Sequence, residues 1–236
     1  MVYALVAAGL IIWLRNILGT RDSDESERPT PKLELTTDGK IIDLNAPDRV
    51  DKTADQLAFI EELSNNPKGN MTIATAATHG LSEIIKVDKD FDVSTFLQAT
   101  QDAFVFVVES FADGDRETLE DLLSPDVFKA FDGAITAREN AGETMQTEIQ
   151  SIKKSEIVQA QLDGKNALIT VRFWAEEVSV TRDENQNIIA GHPDKATQMR
   201  DLWAFSRNIK SRDPRWLVVE TREDGAEDNE TIPNTH

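Results

Sequence analysis

The sequence contains no cysteine and only three histidines among its 236 residues. Disulfide bonds, thiolate zinc sites and cysteine nucleophiles are therefore excluded. The histidines, His79, His192 and His236, lie far apart, and no spacing of His, Asp and Glu suits a metal ion. Gly191-His192-Pro193 does not form a glycine-rich phosphate loop. We therefore expect neither a metal nor a cofactor.

Positive charge is also scarce, with 25 basic against 43 acidic residues and a formal net charge of -18. A chain of this charge is repelled by phosphate backbones, so nucleic acid is not an expected partner. The length allows one domain of ordinary size with appendages. The composition therefore predicts a soluble body with acidic ends.

Long apolar runs are missing except at the N-terminus, where the first 14 residues carry no charge. As a helix, residues 1–18 would be about 27 Å long, close to the roughly 30 Å hydrocarbon core of a bilayer. A cleaved secretory signal is disfavoured, because no basic n-region and no small-x-small site are present. A buried core helix is the other alternative. We interpret residues 1–18 as a membrane anchor with these key residues: Val2, Leu5, Leu10, Ile11, Ile12, Trp13 and Arg15.

The charges after the anchor predict its orientation. Arg15, Arg21 and Arg28 all lie on its C-terminal side, which places the body in the cytoplasm. We expect a single-pass protein of the bacterial inner membrane. Residues 19–52 read as a mostly disordered linker, since residues 19–32 are polar and contain two prolines.

Residues 53–88 read as a helical upstream segment. Leu57, Ile60 and Leu63 recur at helical spacing. Residues 71–87 predict a second helix, which we expect to lie outside the main core.

Residues 90–222 carry the pattern of an α+β domain. A helix is predicted over 93–111, Gly114 ends it, Asp115 caps a short helix, and Ser124-Pro125 begins a third. Strands are expected over 147–162, 167–181, 197–209 and 216–221, with residues 187–190 as a short piece in a loop. A phase change in the apolar alternation predicts a bulge near Glu176-Glu177. Three helices against a long, curved antiparallel sheet make a cone with one open end, followed by a disordered acidic tail over 223–236.

The predicted cone offers little chemistry. Asp201 is the one candidate for a buried base; the alternative is an exposed or edge carboxylate paired with Arg200 or Arg172. The aromatic side chains of the last two strands form either a ligand cage or ordinary sheet core. The predicted lining residues are Phe104, Val108, Ile169, Val171, Phe173, Trp203, Phe205 and Trp216.

Two features predict an interaction surface. Phe173 and Trp174 are adjacent, so on a regular strand they point to opposite faces, and one of them is exposed or covered by a partner. Seven basic residues lie between Lys195 and Arg222, and they either pair on the sheet surface or contact anionic lipid or an acidic partner. The tip of this basic end is residues 210–215. The candidates for partner or lipid binding are Trp174, Arg200, Arg207, Lys210, Arg212 and Arg215.

Several stretches of the chain resemble the Tim44-like domain family. Residues 91–135 and 201–221 carry the resemblance, and LRNILGTR at 14–21 with TAREN-AGET at 136–144 is similar to bacterial TimA-type adaptors. The resemblance implies a cone fold like that of nuclear transport factor two, without known catalysis. It implies a membrane-anchored adaptor, with mitochondrial relatives that tether a chaperone motor or a ribosome to the inner membrane. It brings no catalytic residues, and it does not imply that this protein imports anything.

We therefore expect a non-catalytic scaffold that binds a protein partner, such as a membrane complex or translocation machinery, at the cytoplasmic face of the membrane. The first alternative is a cone that holds a lipid or a small apolar ligand between the 93–111 helix and the sheet. The second is an enzyme of the isomerase or dehydratase type, which would require an inward, desolvated Asp201.

Overall fold

The computed structural model describes residues 33–35, 41–43 and 52–225, and it confirms a mixed α+β fold with a curved sheet. The helices are α1 (Lys52–Asn65), α2 (Thr75–Val87), α3 (Val93–Asp113), α4 (Arg116–Leu122) and α5 (Pro125–Asn140). The strands are β1 (Leu33–Leu35), β2 (Ile41–Asp43), β3 (Met71–Ile73), β4 (Thr144–Asp163), β5 (Asn166–Arg182), β6 (Ile188–Gly191), β7 (Thr197–Asn208) and β8 (Leu217–Glu223). In the segment predicted as a linker, β1 and β2 pair antiparallel.

Local signals explain the bounds of the central helices. Asp92 caps α3, where its side chain accepts a hydrogen bond from the Thr95 backbone N–H at 2.7 Å. Gly114 ends α3 in the left-handed conformation, at φ 73°. Asp115 then caps α4, and Pro125 occupies the first turn of α5. These helices therefore begin and end at residues whose side chains favour those positions.

The sheet has the strand order β3-β4-β5-β7-β8, and β6 pairs with the far end of β5. The pairs β4–β5, β5–β7 and β7–β8 are antiparallel, as expected. One expectation was wrong: residues 71–73 are not helical but form β3, an edge strand parallel to β4. The short piece expected at 187–190 is strand β6, residues 188–191, and it pairs with β5. Both strands are too short for a periodic signal, and their pairing depends on β4 and β5.

The bulge expected at Glu176-Glu177 lies in the neighbouring strand. Glu176 pairs with Ser151 and Glu177 with Ile149, so the extra residue is Gln150 of β4. Two further irregularities in this ladder leave Lys153 and Val158 as extra residues of β4. The phase change is therefore real, but β4 rather than β5 carries the inserted residues that curve the sheet.

The core fills the space between α3 and the inner face of the sheet. Phe104 of α3 stacks on Phe173 of β5 with ring centroids 4.5 Å apart. Phe96 of α3 lies 4.8 Å from Trp216, which precedes β8. All the residues predicted to line the cone are buried against one another in this core: Phe104, Val108, Ile169, Val171, Phe173, Trp203, Phe205 and Trp216.

The upstream helix α2 belongs to this core, contrary to expectation. Its residues Leu81 and Ile84 are fully buried in the same cluster as Phe104. Gly80 packs directly on the β4 backbone, where a Cβ atom would lie 1.8 Å from the carbonyl oxygen of Ala160. After α2, Asp88 forms a buried ion pair with Arg207 of β7. These contacts attach the segment before residue 90 to the sheet.

Most residues in the predictions for the two ends of the chain lie outside the described part of the structure. The proposed anchor, residues 1–18, lies outside the described residues, and no helix inside them is long and apolar enough to span a bilayer. The predicted tail starts too early, because Glu223 is the last residue of β8 and Asp224 makes ion pairs. The rest of that tail, residues 226–236, is also outside the described part.

Candidate interaction surface

Arg207 is a structural cation rather than a surface one. Its guanidinium pairs with Asp88, donates to the Pro214 carbonyl at 3.4 Å and lies 5.1 Å from the centre of the Trp216 ring. Burial lowers the pKa of Arg207 from its ordinary value. The expectation that Arg207 faces a partner or lipid was therefore wrong, because its charge is used inside the fold.

The remaining basic residues divide into paired and unpaired cations. Arg215 bonds to Asp121 of α4 at 2.5 Å and to Asp213 at 2.9 Å, so it joins the turn before β8 to α4. Lys210 and Arg212 are exposed and form no ion pair with any residue in the described part of the chain. Of the predicted basic tip, residues 210–215, Lys210 and Arg212 are therefore the cations left for contact with a partner or lipid.

Trp174 lies on the outer face of the sheet, half-buried, at the centre of a cationic cluster. The strand register places Lys154 and Arg200 directly beside it in a row across β4, β5 and β7. Lys154 Nζ is 4.6 Å from the ring centre, and the Arg172 and Arg200 guanidinium carbons are 5.5 and 5.6 Å away. We call these four residues the Trp174 surface. Cations at such distances are attracted to the negative face of an indole ring.

A shallow groove of about 400 Å³ adjoins the Trp174 surface. Trp174 supplies its partly exposed apolar side chain, whereas the lining residues Ala175 and Met199 pack against the core on the other face of the sheet. Polar and charged side chains complete the lining: Lys153, Lys154, Glu176, Gln198 and Arg200. The groove therefore combines the apolar ring of Trp174 with a largely cationic border.

Acidic residues hold the cations of this surface in place. Asp224 Oδ2 lies 2.6 Å from Arg200 Nη2 and 3.1 Å from Arg172 Nε. Glu156 bonds to Lys154 at 2.8 Å and to Arg172 at 3.1 Å. The two arginine side chains are thereby ordered against Trp174 before any partner arrives, which lowers the entropic cost of binding.

Asp201 does not form the expected alternative, an edge ion pair with Arg200 or Arg172, because Asp224 pairs with both arginines. Asp201 instead pairs in register with Phe173 and shares the inner face of the sheet, where its Oδ2 accepts a 3.2 Å hydrogen bond from Trp203 Nε1. Burial raises the pKa of Asp201 to about 6, although the Trp203 hydrogen bond opposes the rise. Burial, and then the charge of Asp201, also raise the pKa of Glu177.

The surroundings of Asp201 contain few catalytic groups. His79 is exposed and lies 3.6 Å from Glu83 on α2, and His192 is exposed in the loop after β6. Within the described residues, no group of three His, Cys, Asp or Glu side chains is arranged to hold a metal ion. Asp201 is therefore a desolvated carboxylate, and the charged groups near it are the carboxylates of Glu177, Glu223 and Asp224.

The TAREN motif at 136–140 forms a helix junction that sequence reasoning did not foresee. Arg138 donates to the carbonyl oxygens of Phe111 and Ala112 at 2.5 and 2.7 Å, and so satisfies the C-terminal end of α3. Glu139 and Thr136 both accept hydrogen bonds from Arg116 of α4. An arginine in the last turn of a helix is typical of residues that cap carbonyl groups. Arg138 of α5, however, caps carbonyl groups of α3.

The fold places the chain among α+β domains in which helices fill the concave side of a curved sheet. A family model described as the Tim44-like domain matches residues 77–223. This range is more than half of the chain, and the chain therefore belongs to the Tim44-like domain family.

Individual relatives are more distant. The human mitochondrial import inner membrane translocase subunit TIM44 is 24% identical over 155 residues, which cover 64% of this chain and 34% of that protein. The Arabidopsis thaliana subunit TIM44-1 is 24% identical over 125 residues, covering 53% and 26%. This chain thus spans about a third or less of the length of these relatives. Among solved structures, the intermembrane space region of chloroplast protein ARC6 has 16% identity and a TM-score of 0.32, covering 46% of this chain and 76% of that one.

Proposed function

We propose that this chain is a membrane-anchored, non-catalytic adaptor of the bacterial TimA type, which binds a protein partner at the cytoplasmic face of the inner membrane. Family membership supports an adaptor, since the matched relatives are by name subunits of an inner-membrane translocase. Residues 1–18 supply the anchor in this proposal. The body that binds has the fold of nuclear transport factor two in this proposal, and it includes the upstream helices, so it covers residues 52–225.

The observation that carries the proposal is the Trp174 surface. Tryptophan and arginine contribute most to protein interfaces when a partner removes them from water. Here an indole is left partly exposed with three cations within 5.6 Å of its ring centre. Opposite Trp174, the inner face of β5 is closed by the stacked Phe104 and Phe173 rings. The outer face is therefore the better supported site for a partner, and Lys210 and Arg212 are the candidates for contact with anionic lipid.

The enzyme alternative has one observation in its favour, the raised pKa of Asp201. A general base must also reach a substrate, and the described inner face around Phe173 is filled by aromatic side chains. Glu177 is a second desolvated carboxylate near Asp201, but an interior filled by side chains makes a structural role for this pair better supported than catalysis. The packed interior likewise favours an adaptor over a cone that holds a lipid or small apolar ligand.

A photo-crosslinking residue at Gln198, in the groove beside Trp174, tests the proposed function in intact membranes. We expect one specific crosslinked protein, and we expect Trp174→Ala to reduce its yield at least several-fold. The same photo-reactive residue at Lys129, exposed on α5, is the matched control and should not yield that product. An identical crosslink pattern from both positions, or a yield unaffected by Trp174→Ala, would contradict the assignment of this surface to a partner.

A further inference from the structure

The described chain ends directly beside the Trp174 surface. Strand β8 runs antiparallel to β7, and the backbone N–H of Asp224 bonds to the Arg200 carbonyl at 2.7 Å. The Asp224 carboxylate then lies between Arg172 and Arg200, both of which contact the Trp174 ring. The residues that follow Gly225 therefore leave the fold at the border of the groove.

The Asp224 carboxylate, one residue before the described chain ends, already pairs with two cations of the Trp174 surface. The next acidic residues are Glu227, Asp228 and Glu230, with no basic residue from 226 to 235. On the groove border, the β4 side chains of Lys153 and Lys154 are 55% and 38% exposed, and they pair with Glu176 and Glu156, respectively. Charge complementarity therefore favours contact between this acidic segment and the groove.

The same segment also carries an apolar group at a suitable distance along the chain. Ile232-Pro233 follows the acidic residues. Ile232 lies seven residues after Gly225, and an extended chain of that length spans at most about 25 Å. The partly exposed Trp174 ring in the groove offers this side chain an apolar surface to cover.

We infer that the groove beside Trp174 is the docking site of this chain's own acidic segment, residues 226–233. Because the segment is tethered at Gly225, its effective concentration at the groove is high, on the order of millimolar. Weak ion pairs and one apolar contact are then enough to keep the groove covered. The consequence that a partner must displace the segment rests on the proposed function, whereas the docking itself does not.

Disulfide trapping tests the docking, because the chain has no cysteine of its own. Asn229→Cys and Gln198→Cys are introduced together into the full chain, and oxidation in membranes is followed by the mobility shift of the internally crosslinked protein. Asn229 reaches at most about 14 Å from Gly225, so it can meet Gln198 only on this side of the sheet. We expect an intramolecular disulfide as the main product.

A second variant distinguishes docking in the groove from a disulfide that forms only because the tether at Gly225 keeps the two cysteines close. Glu227→Lys and Glu230→Lys reverse the charge of the segment and change no described residue. If the groove holds the segment by charge, the disulfide yield falls at least several-fold, and high salt has the same effect on the original pair. An equal yield with either charge overturns the inference, as does the absence of an internal disulfide or a product that links Gln198→Cys to another protein or a second copy. None of these readouts depends on the partner crosslink, so the docking and the proposed function can fail separately.

Discussion

Asp201 is a carboxylate that the fold keeps away from water. Its neighbours on the inner face are aromatic, and its one hydrogen bond comes from Trp203. Burial disfavours the ionised form, so the pKa is raised from 3.8 to about 6. The folded protein therefore holds the Asp201 proton more tightly than the unfolded chain does.

This shift has a defined sign in the free energy of unfolding. Above pH 6 the ionised Asp201 destabilises the folded state by up to about 3 kcal/mol, and the cost declines as pH falls towards 3.8. We expect Asp201→Asn to increase the free energy of unfolding by about 1–2 kcal/mol at pH 7.5, since asparagine can still accept from Trp203. At pH 4 the gain should be less than half as large. Urea titrations at both pH values measure it.

The control for that prediction is Asp194→Asn, a change at an exposed residue of the loop after β6. It should alter the free energy of unfolding by less than about 0.5 kcal/mol at either pH. A gain for Asp201→Asn that is the same at both pH values would mean that ionisation of Asp201 is not its cause.

At the scale of elements, the contact between α2 and β4 depends on a glycine. A Cβ atom at position 80 would collide with backbone atoms of β4, which cannot move away as a flexible side chain would. Gly80→Ala should therefore lower the free energy of unfolding by about 1–3 kcal/mol or more, as overpacking does. Chemical denaturation followed by tryptophan fluorescence measures the change.

Gly133 of α5 is the matched control, because nothing lies within 4 Å of a Cβ atom added there. Gly133→Ala removes a flexible residue from a helix and should stabilise the protein by about 0.5–1 kcal/mol. Opposite signs for the two substitutions are the expected result. A neutral Gly80→Ala would show that α2 can shift away from β4 at little cost.

The Arg207–Asp88 ion pair is a second contact between the upstream segment and the sheet. It joins the residue after α2 to β7 and lies beside Trp216, so three distant parts of the chain meet at one guanidinium. Breaking one partner of a buried ion pair leaves an uncompensated charge. The pair therefore explains why the segment before residue 90 belongs to the body of the protein.

For the whole molecule, the proposed anchor determines where the body acts. A flexible 14-residue linker, as predicted for residues 19–32, would span only about 20 Å and keep the body near the lipid head groups. Deleting residues 1–18 should release the protein into the soluble fraction, whereas the full chain should sediment with membranes. The measurement is the share of protein that pellets after a high-salt wash. Persistent pelleting of the shortened protein would argue against the anchor.

Much of the helical part of the fold could be predicted because its signals are local. Gly114, Asp115 and Pro125 act within one turn of a helix end, and the apolar stripe of α3 repeats over five turns. The strand β3 was not predictable, since three residues carry no usable period. The extra residues of β4 were seen only indirectly, through the changed alternation of β5.

For the candidate site, the alternation of Phe173 and Trp174 was enough to predict that one of the two faces outward. The sequence could not tell which cations are free. Arg207 and Asp88 are 119 residues apart, and Asp224 rather than Asp201 pairs with Arg172 and Arg200. Capping, periodicity and net charge act within a few residues or over the whole composition, so the sequence by itself determined the fold class, the helix ends and the absence of thiol chemistry. Pairing between charges depends on which strands become neighbours, and only the tertiary structure decided that Trp174 lies on the outer face of the sheet with three cations and a groove beside it.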